Sequence, residues 1–265
     1  MISRLKAGLY GGALLLAGAV AASSATAQEP AGGDWDLHRD RDGVLAYTTY
    51  DSGLAIAFRC RQGAFAAVAA GLPSSREARR SLVLRFEDDD EPQPSMWTTT
   101  TNDTVAVADY PAPLARKFRR GGPLRLTIPG GASDGRDLTH VVELPPSNVA
   151  IDTALSECGR PLVDPRDALL EAVEGEGLSG GATWARAPRV DFPSTRYAAG
   201  FVVLSCLAWM DGRLTDCIVE SEHPHDGRFG EAALRGARRA RVALPEGSPP
   251  GPFRVGFYVN FRSAP

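Results

Sequence analysis

Apolar and polar positions along this chain change period several times, and each change marks an element. From Trp35 onward the pattern has the period of two that belongs to strands. Residues 44–50 are rich in β-branched and aromatic side chains, and Asp51-Ser52-Gly53 turns them into an alternating run over 54–60. Gln62-Gly63 turns again into 64–70. Residues 81–87 put Leu82, Leu84 and Phe86 on one face, and the acidic run from Glu87 to Glu91 followed by Pro92 ends them. Residues 96–101 and 104–108 read as a hairpin about Asn102-Asp103.

The period then lengthens. Leu114 and Phe118 stand four residues apart, which predicts a short helix over 111–120 stopped by Gly121-Gly122. Strands over 124–128 and 138–144 follow. Ser147 is a capping residue ahead of Val149, Ile151, Ala154 and Leu155, so a second helix should end near Cys158-Gly159. Asp164-Pro165 is another helix start, and the glycine-rich stretch 175–181 reads as a linker. Beyond it come an apolar run at 201–206, an Asp211-Gly212 hairpin turn, a returning strand at 214–220 and a helix over 229–241. In that helix Phe229, Ala233, Ala237 and Ala240 share a face. A strand over 253–261 closes the pattern, with Phe253, Val255, Phe257, Val259 and Phe261 alternating. The fold class expected is α+β. A mostly antiparallel, sandwich-like β domain with short helices should occupy 35–160. A helix and linker should follow at 161–183, and a small β-β-α-β domain at 184–265.

The first residues set the compartment. Arg4 and Lys6 precede an uncharged apolar stretch over 7–22, and Ala25-Thr26-Ala27 is a small-x-small cleavage site. This predicts a secretory signal over 1–27. The competing reading is an uncleaved anchor, but the strongly apolar part is shorter than the ~20 residues a span needs. After cleavage no transmembrane span is expected, and the protein should be periplasmic or secreted, where disulfides persist. The chain has 265 residues, net charge −3 and four cysteines. Loss of Arg4 and Lys6 takes the charge to −5, which argues against nucleic acid as a partner.

The cysteines fall into two candidate pairs. Cys206 and Cys217 flank the Asp211-Gly212 turn evenly and would face each other across a two-residue hairpin, at a hydrogen-bonded position unless a bulge intervenes. Cys60 and Cys158 each end an element of the first domain, and a bridge would tie its closing helix to an early strand. The alternative is reduced, buried core residues. Neither pair has metal-ligand spacing. Gly177-Leu178-Ser179-Gly180-Gly181 matches the G-x-S-x-G pattern but lacks the strand-then-helix context of a nucleophile elbow, so it reads as linker. His223-Pro224-His225-Asp226 is a weak metal signal and reads as a loop. His38 and His140 are isolated, and the acidic run lacks calcium-loop spacing. No catalytic residue, cofactor or metal site is expected. Two arginine clusters, at 116–120 and 235–241, are either solvated helical faces or contacts for anionic envelope material or an acidic partner.

The last third resembles a known family. Pro188 to Pro193 leads into Gly200-Phe201-Val202-Val203-Leu204, then Asp211-Gly212-Arg213-Leu214 and Phe229-Gly230-Glu231-Ala232-Ala233-Leu234. This succession is similar to the carboxy-terminal domain of TonB and its paralogues. The resemblance implies a β-β-α-β fold and an envelope setting. It also implies a cell-envelope protein as partner, held by pairing of an exposed strand with a short peptide. The final strand, with Phe253, Val255, Phe257, Val259 and Phe261, is the candidate partner-binding element, the hairpin edge being the other. The uncleaved membrane helix and proline-rich spacer of an energy transducer are missing, so proton-motive coupling is not implied. The first domain more loosely resembles periplasmic proteins related to the invasion-associated locus B family, and no function follows from that. The expectation is a non-enzymatic binding protein. The alternatives are a small cell-envelope hydrolase or a structural envelope component.

Overall fold

The computed structural model describes residues 34–169, 178, 181–247 and 252–263. The expected signal segment, Ser179 and most of the expected linker lie outside these residues. The class is α+β, with three short α-helices and antiparallel strand pairing.

Strands β1 (Asp36–Arg39), β2 (Gly43–Thr49), β3 (Ala55–Arg61) and β4 (Ala64–Ala70) follow one another as hairpins. The β3–β4 turn works because Gln62 and Gly63 both take positive φ, 50° and 80°, as a tight two-residue hairpin requires. Strands β5 (Arg79–Phe86), β6 (Gln93–Thr99) and β7 (Val105–Ala108) form a meander that joins in reverse, so β7 pairs with β4. Strands β8 (Gly122–Ile128) and β9 (Leu138–Leu144) extend the sheet from β5. The result is one nine-stranded sheet, ordered β1-β2-β3-β4-β7-β6-β5-β8-β9, where two stacked sheets were expected. It curls: the Tyr50 hydroxyl, just after β2, reaches the Glu143 carbonyl of β9 at 3.5 Å.

The alternation in these strands sends one face inward. Phe58, Leu82, Leu124 and Leu126 are buried there, in a core shared by β2 through β9. Helices α1 (Pro111–Phe118) and α2 (Val149–Glu157) fill the inside of the curl. The Phe118 ring lies 5.3 Å from those of both Phe58 and Phe86, and 6.4 Å from Trp35. Truncating so buried a ring typically costs about 3–5 kcal/mol. A 3-10 turn at Pro165–Leu169 begins where Asp164-Pro165 announces it.

A second, smaller core gathers residues from 182 onward. Strands β10 (Thr183–Arg186), β11 (Ala199–Ala208) and β12 (Leu214–His223) precede helix α3 (Phe229–Ala237), and β13 (Arg241–Ala243) and β14 (Phe253–Arg262) follow it. The expected β-β-α-β order is present as β11, β12, α3 and β14, with the sheet ordered β12-β11-β14. The β10–β13 pair is an addition that short runs of four and three residues did not announce. Helix α3 stops before the expected 241. Its last turn tightens through Arg239 N–H to Gly236 O and Ala240 N–H to Ala237 O, after which the Val242 N–H is taken by Gly212 O. Phe229, Ala233 and Ala237 of α3 are fully buried on this sheet, with Phe229 4.8 Å from Phe261. Among the described residues no helix is long and apolar enough to cross a membrane.

Candidate partner-binding strand and the seam behind it

Strand β14 is an edge of the three-stranded sheet. It pairs with β11 over ten consecutive residues, Ala199↔Arg262 to Ala208↔Phe253, without a register shift. Just past the strand the Ser263 N–H donates to Ala198 O at 2.8 Å, which makes that pair a hydrogen-bonded one. Alternation then directs the backbone groups of Phe253, Val255, Phe257, Val259 and Phe261 to β11, and those of Arg254, Gly256, Tyr258, Asn260 and Arg262 outward. The same alternation turns the side chains of the first set toward α3. Val255, Phe257 and Phe261 are 4% exposed or less, and Phe253 and Val259 are half-buried. The five residues singled out in the sequence thus anchor the strand, while the residues between them turn their backbone groups to its outer side. Gly256 and Tyr258 have contacts of their own. Asn260 and Arg262 are exposed, and among the described residues no strand lies on their outer side, away from β11.

The opposite edge differs. The register of β12 on β11 shifts twice, between Val203 and Leu204 and between Ser205 and Leu207. Bulges of this kind twist an edge away from further pairing. Arg160, beyond the end of α2, also donates to the Val219 carbonyl of β12 at 2.8 Å.

The cysteines pair as expected. Cys60 of β3 bonds Cys158 at the end of α2, with Cα atoms 5.4 Å apart, and Cys206 bonds Cys217, with Cα atoms 4.0 Å apart. The second hairpin reaches its bridge by a different route from simple counting. The Trp209 N–H bonds Arg213 O, so the loop holds three residues, and a bulge at Asp216, with φ of 47°, restores the opposition of Cys206 and Cys217.

The sheet face away from α3 is turned to the nine-stranded unit, and beside the apolar Phe201 and Val203 it carries buried charges. Arg254, 1% exposed, donates to Glu220, also 1% exposed, and to Ser205 Oγ at 3.2 Å. Its Nη1 donates to Arg166 O at 3.1 Å and Asp167 Oδ1 at 3.3 Å. Asp167 in turn accepts from Arg116 of α1, and Asp164 accepts from Arg166 at 2.7 Å. The hydrogen bonds from Arg166 hold the Asp164 carboxyl down at about 2. Beside this group Arg79 of β5 pairs with Asp109 and lies 4.5 Å over the Tyr258 ring. Burial pushes the Asp109 carboxyl up, although Arg79 and the Thr98 hydroxyl, 3.2 Å away, pull the other way. Burial likewise raises the Tyr110 hydroxyl. Each buried charge in this seam is met by an opposite one, which offsets the cost of removing it from water.

The other candidates resolve into local roles. Arg116 and Arg119 of the first basic cluster are held by Asp167 and Asp152, so they brace α1 against its neighbours. His223 stacks on Phe201 at 5.7 Å, His225 Nε2 lies 3.3 Å from Gln62, and Asp226 accepts from the Tyr197 hydroxyl at 2.6 Å. Among the described residues no group of three or more His, Cys, Asp or Glu is placed to hold a metal. Glu222 does have a role that the sequence did not show. Its Oε1 accepts the Phe229 N–H at 2.8 Å and caps α3 from the neighbouring strand. Desolvation raises this carboxyl. No family model, curated protein or solved structure matches the chain.

Proposed function

We propose that this chain is an exported, non-enzymatic binding protein of the cell envelope that takes up an extended segment of a partner protein along the outer edge of β14. The observation that carries this reading is the contrast between the two edges. The β14 edge is ten residues long and bulge-free, with outward backbone groups at Asn260 and Arg262, whereas β12 is bulged and capped by Arg160. A regular, open edge is the surface that β-strand addition uses. The similarity to TonB carboxy-terminal domains points the same way, and two disulfides fit an oxidising compartment. The buried carboxylates of the seam are spent on arginines and not aimed into a cleft, which supports binding over catalysis.

The test is a photo-crosslinking side chain at position 260 or 262 in the exported protein. The expected product is a crosslink to one extended partner segment, absent when the probe sits at Asp137 on the first unit. Asn260→Pro removes one outward N–H without touching a β11 hydrogen bond, and edge positions accept proline. It should abolish the crosslink at 262 and leave the fold intact. A crosslink that survives Asn260→Pro, or none at either position, would overturn the reading.

A further inference from the structure

An arginine-rich concavity lies away from β14, on the outside of α3. It has a volume of about 620 Å³ and runs between the segment that leaves β10 and the outer side of α3 with its last turn. Arg186 and Arg189 line one wall and Arg235, Arg238 and Arg239 the other, over a floor that includes Ala187, Ala232 and Gly236. Among the described residues Asp191 is the one carboxylate in the lining, and Arg235 shares Glu231 at 3.8 Å. Arg186, Arg189, Arg238 and Arg239 are all exposed, and among the described residues none of their side chains makes a hydrogen bond or ion pair. The walls are fixed together. A Cβ on Gly236 would stand 2.8 Å from the Arg189 carbonyl and 2.7 Å from Val190 Cγ2, so only glycine lets the segment lie this close to the helix. The groove is therefore formed before any ligand arrives.

We infer that this groove binds an acidic peptide segment, one carrying several successive Asp or Glu side chains. Five guanidinium groups converge here in a chain with more acidic than basic residues, 32 against 29. Arginine forks match carboxylates two bonds at a time. The two-walled shape takes an extended chain, whereas a flat bilayer would reach only the rims. Among the described residues no aromatic ring lines the groove to stack a base, so a nucleic acid finds no platform there. The volume falls in the usual range for ligand sites, about 300–1,000 Å³. This inference stands apart from the β14 reading, since the two surfaces share no residue.

The test uses the full mature chain and a fluorescein-labelled hexaglutamate peptide followed by polarisation, with hexaglutamine as control. Hexaglutamate should bind, weaken as salt rises, and lose about tenfold or more in affinity with Arg238→Gln/Arg239→Gln. Arg186→Gln/Arg189→Gln, on the opposite wall, should do the same. Arg125→Gln, on β8, should change nothing. All these positions, the control's included, are exposed, and retained thermal unfolding shows that a variant is folded. Equal binding of hexaglutamine, or binding that neither wall's variants weaken, would overturn the inference. So would a chain that ignores hexaglutamate yet binds pyrophosphate or vesicles containing phosphatidylglycerol, because the ligand would then be a phosphate or a membrane.

Discussion

The two disulfides should differ in what they contribute, and the difference can be worked from loop length alone. Cys60–Cys158 closes a loop over a separation of 98 residues, and Cys206–Cys217 closes one of 11. In the chain-entropy treatment these restrict the unfolded state by about 4.7 and about 2.8 kcal/mol at 25 °C, a gap of about 2 kcal/mol. The paired variants Cys60→Ala/Cys158→Ala and Cys206→Ala/Cys217→Ala remove the same two sulfur atoms, so the packing loss is similar and the gap should survive it. Urea unfolding of the mature chain provides the assay. Trp35 and Trp97 are buried in the first core, and Trp184 belongs to the second, so each unit has its own fluorescence reporter. The long-loop variant should lose about 2 kcal/mol more, read in the first unit. If the short-loop variant lost as much or more, loop entropy would not be what these bridges supply, and the argument would fail.

Three further outcomes follow from the seam and the helix cap. Arg254→Met leaves Glu220 buried with Ser205 alone and should cost about 3–5 kcal/mol, whereas Arg254→Met/Glu220→Met should cost far less; equal urea midpoints for the two would contradict this. Glu222→Ala removes the α3 cap and should cost about 1 kcal/mol, while Glu222→Gln keeps the acceptor. Because the folded Glu222 carboxyl is raised from 4.5, wild type loses stability as pH rises through that raised value, so Glu222→Gln should gain on it there; melting curves on both sides of the transition check the sign. Asp164 is the reverse case. Its carboxyl is held at about 2, so its contribution is present above pH 3.8 and fades as pH falls toward 2. Hydrogen exchange at the Arg166 amide, bonded to Asp164 Oδ1 at 3.0 Å, should speed up over that window while buried strand amides stay protected.

Much of the local structure was legible because it is written in neighbouring residues. The Gln62-Gly63 and Asn102-Asp103 turns, α1 with Leu114 and Phe118, and the alternation of β14 are all short-range signals. Strand order was not, because the β4–β7 and β5–β8 pairings join segments whose patterns are interchangeable. The Asp211-Gly212 turn shows a subtler limit: the dipeptide suggests a two-residue hairpin, but the three-residue loop and the Asp216 bulge together reach the same cysteine pairing. The seam was illegible for a physical reason. In an alternating strand Arg254 and Glu220 occupy positions that ordinarily face water. Only the packing of one unit on the other takes them out of it, and nothing local to either strand records that event. The second arginine cluster was visible, but its concave shape depends on Gly236 admitting a segment from 47 residues earlier, Arg189.

Arg254 also gives the structure a mechanical character. Traction on a partner held at Asn260 and Arg262 would pass along β14 to a residue that grips Glu220 on one side and the Arg166-Asp167 segment on the other. From there the load runs through Arg116 into α1, and along the backbone to Cys158 and the covalent link with β3. The edge strand is therefore not a loose flap. A tug on it is shared with the larger sheet before the small one begins to unzip.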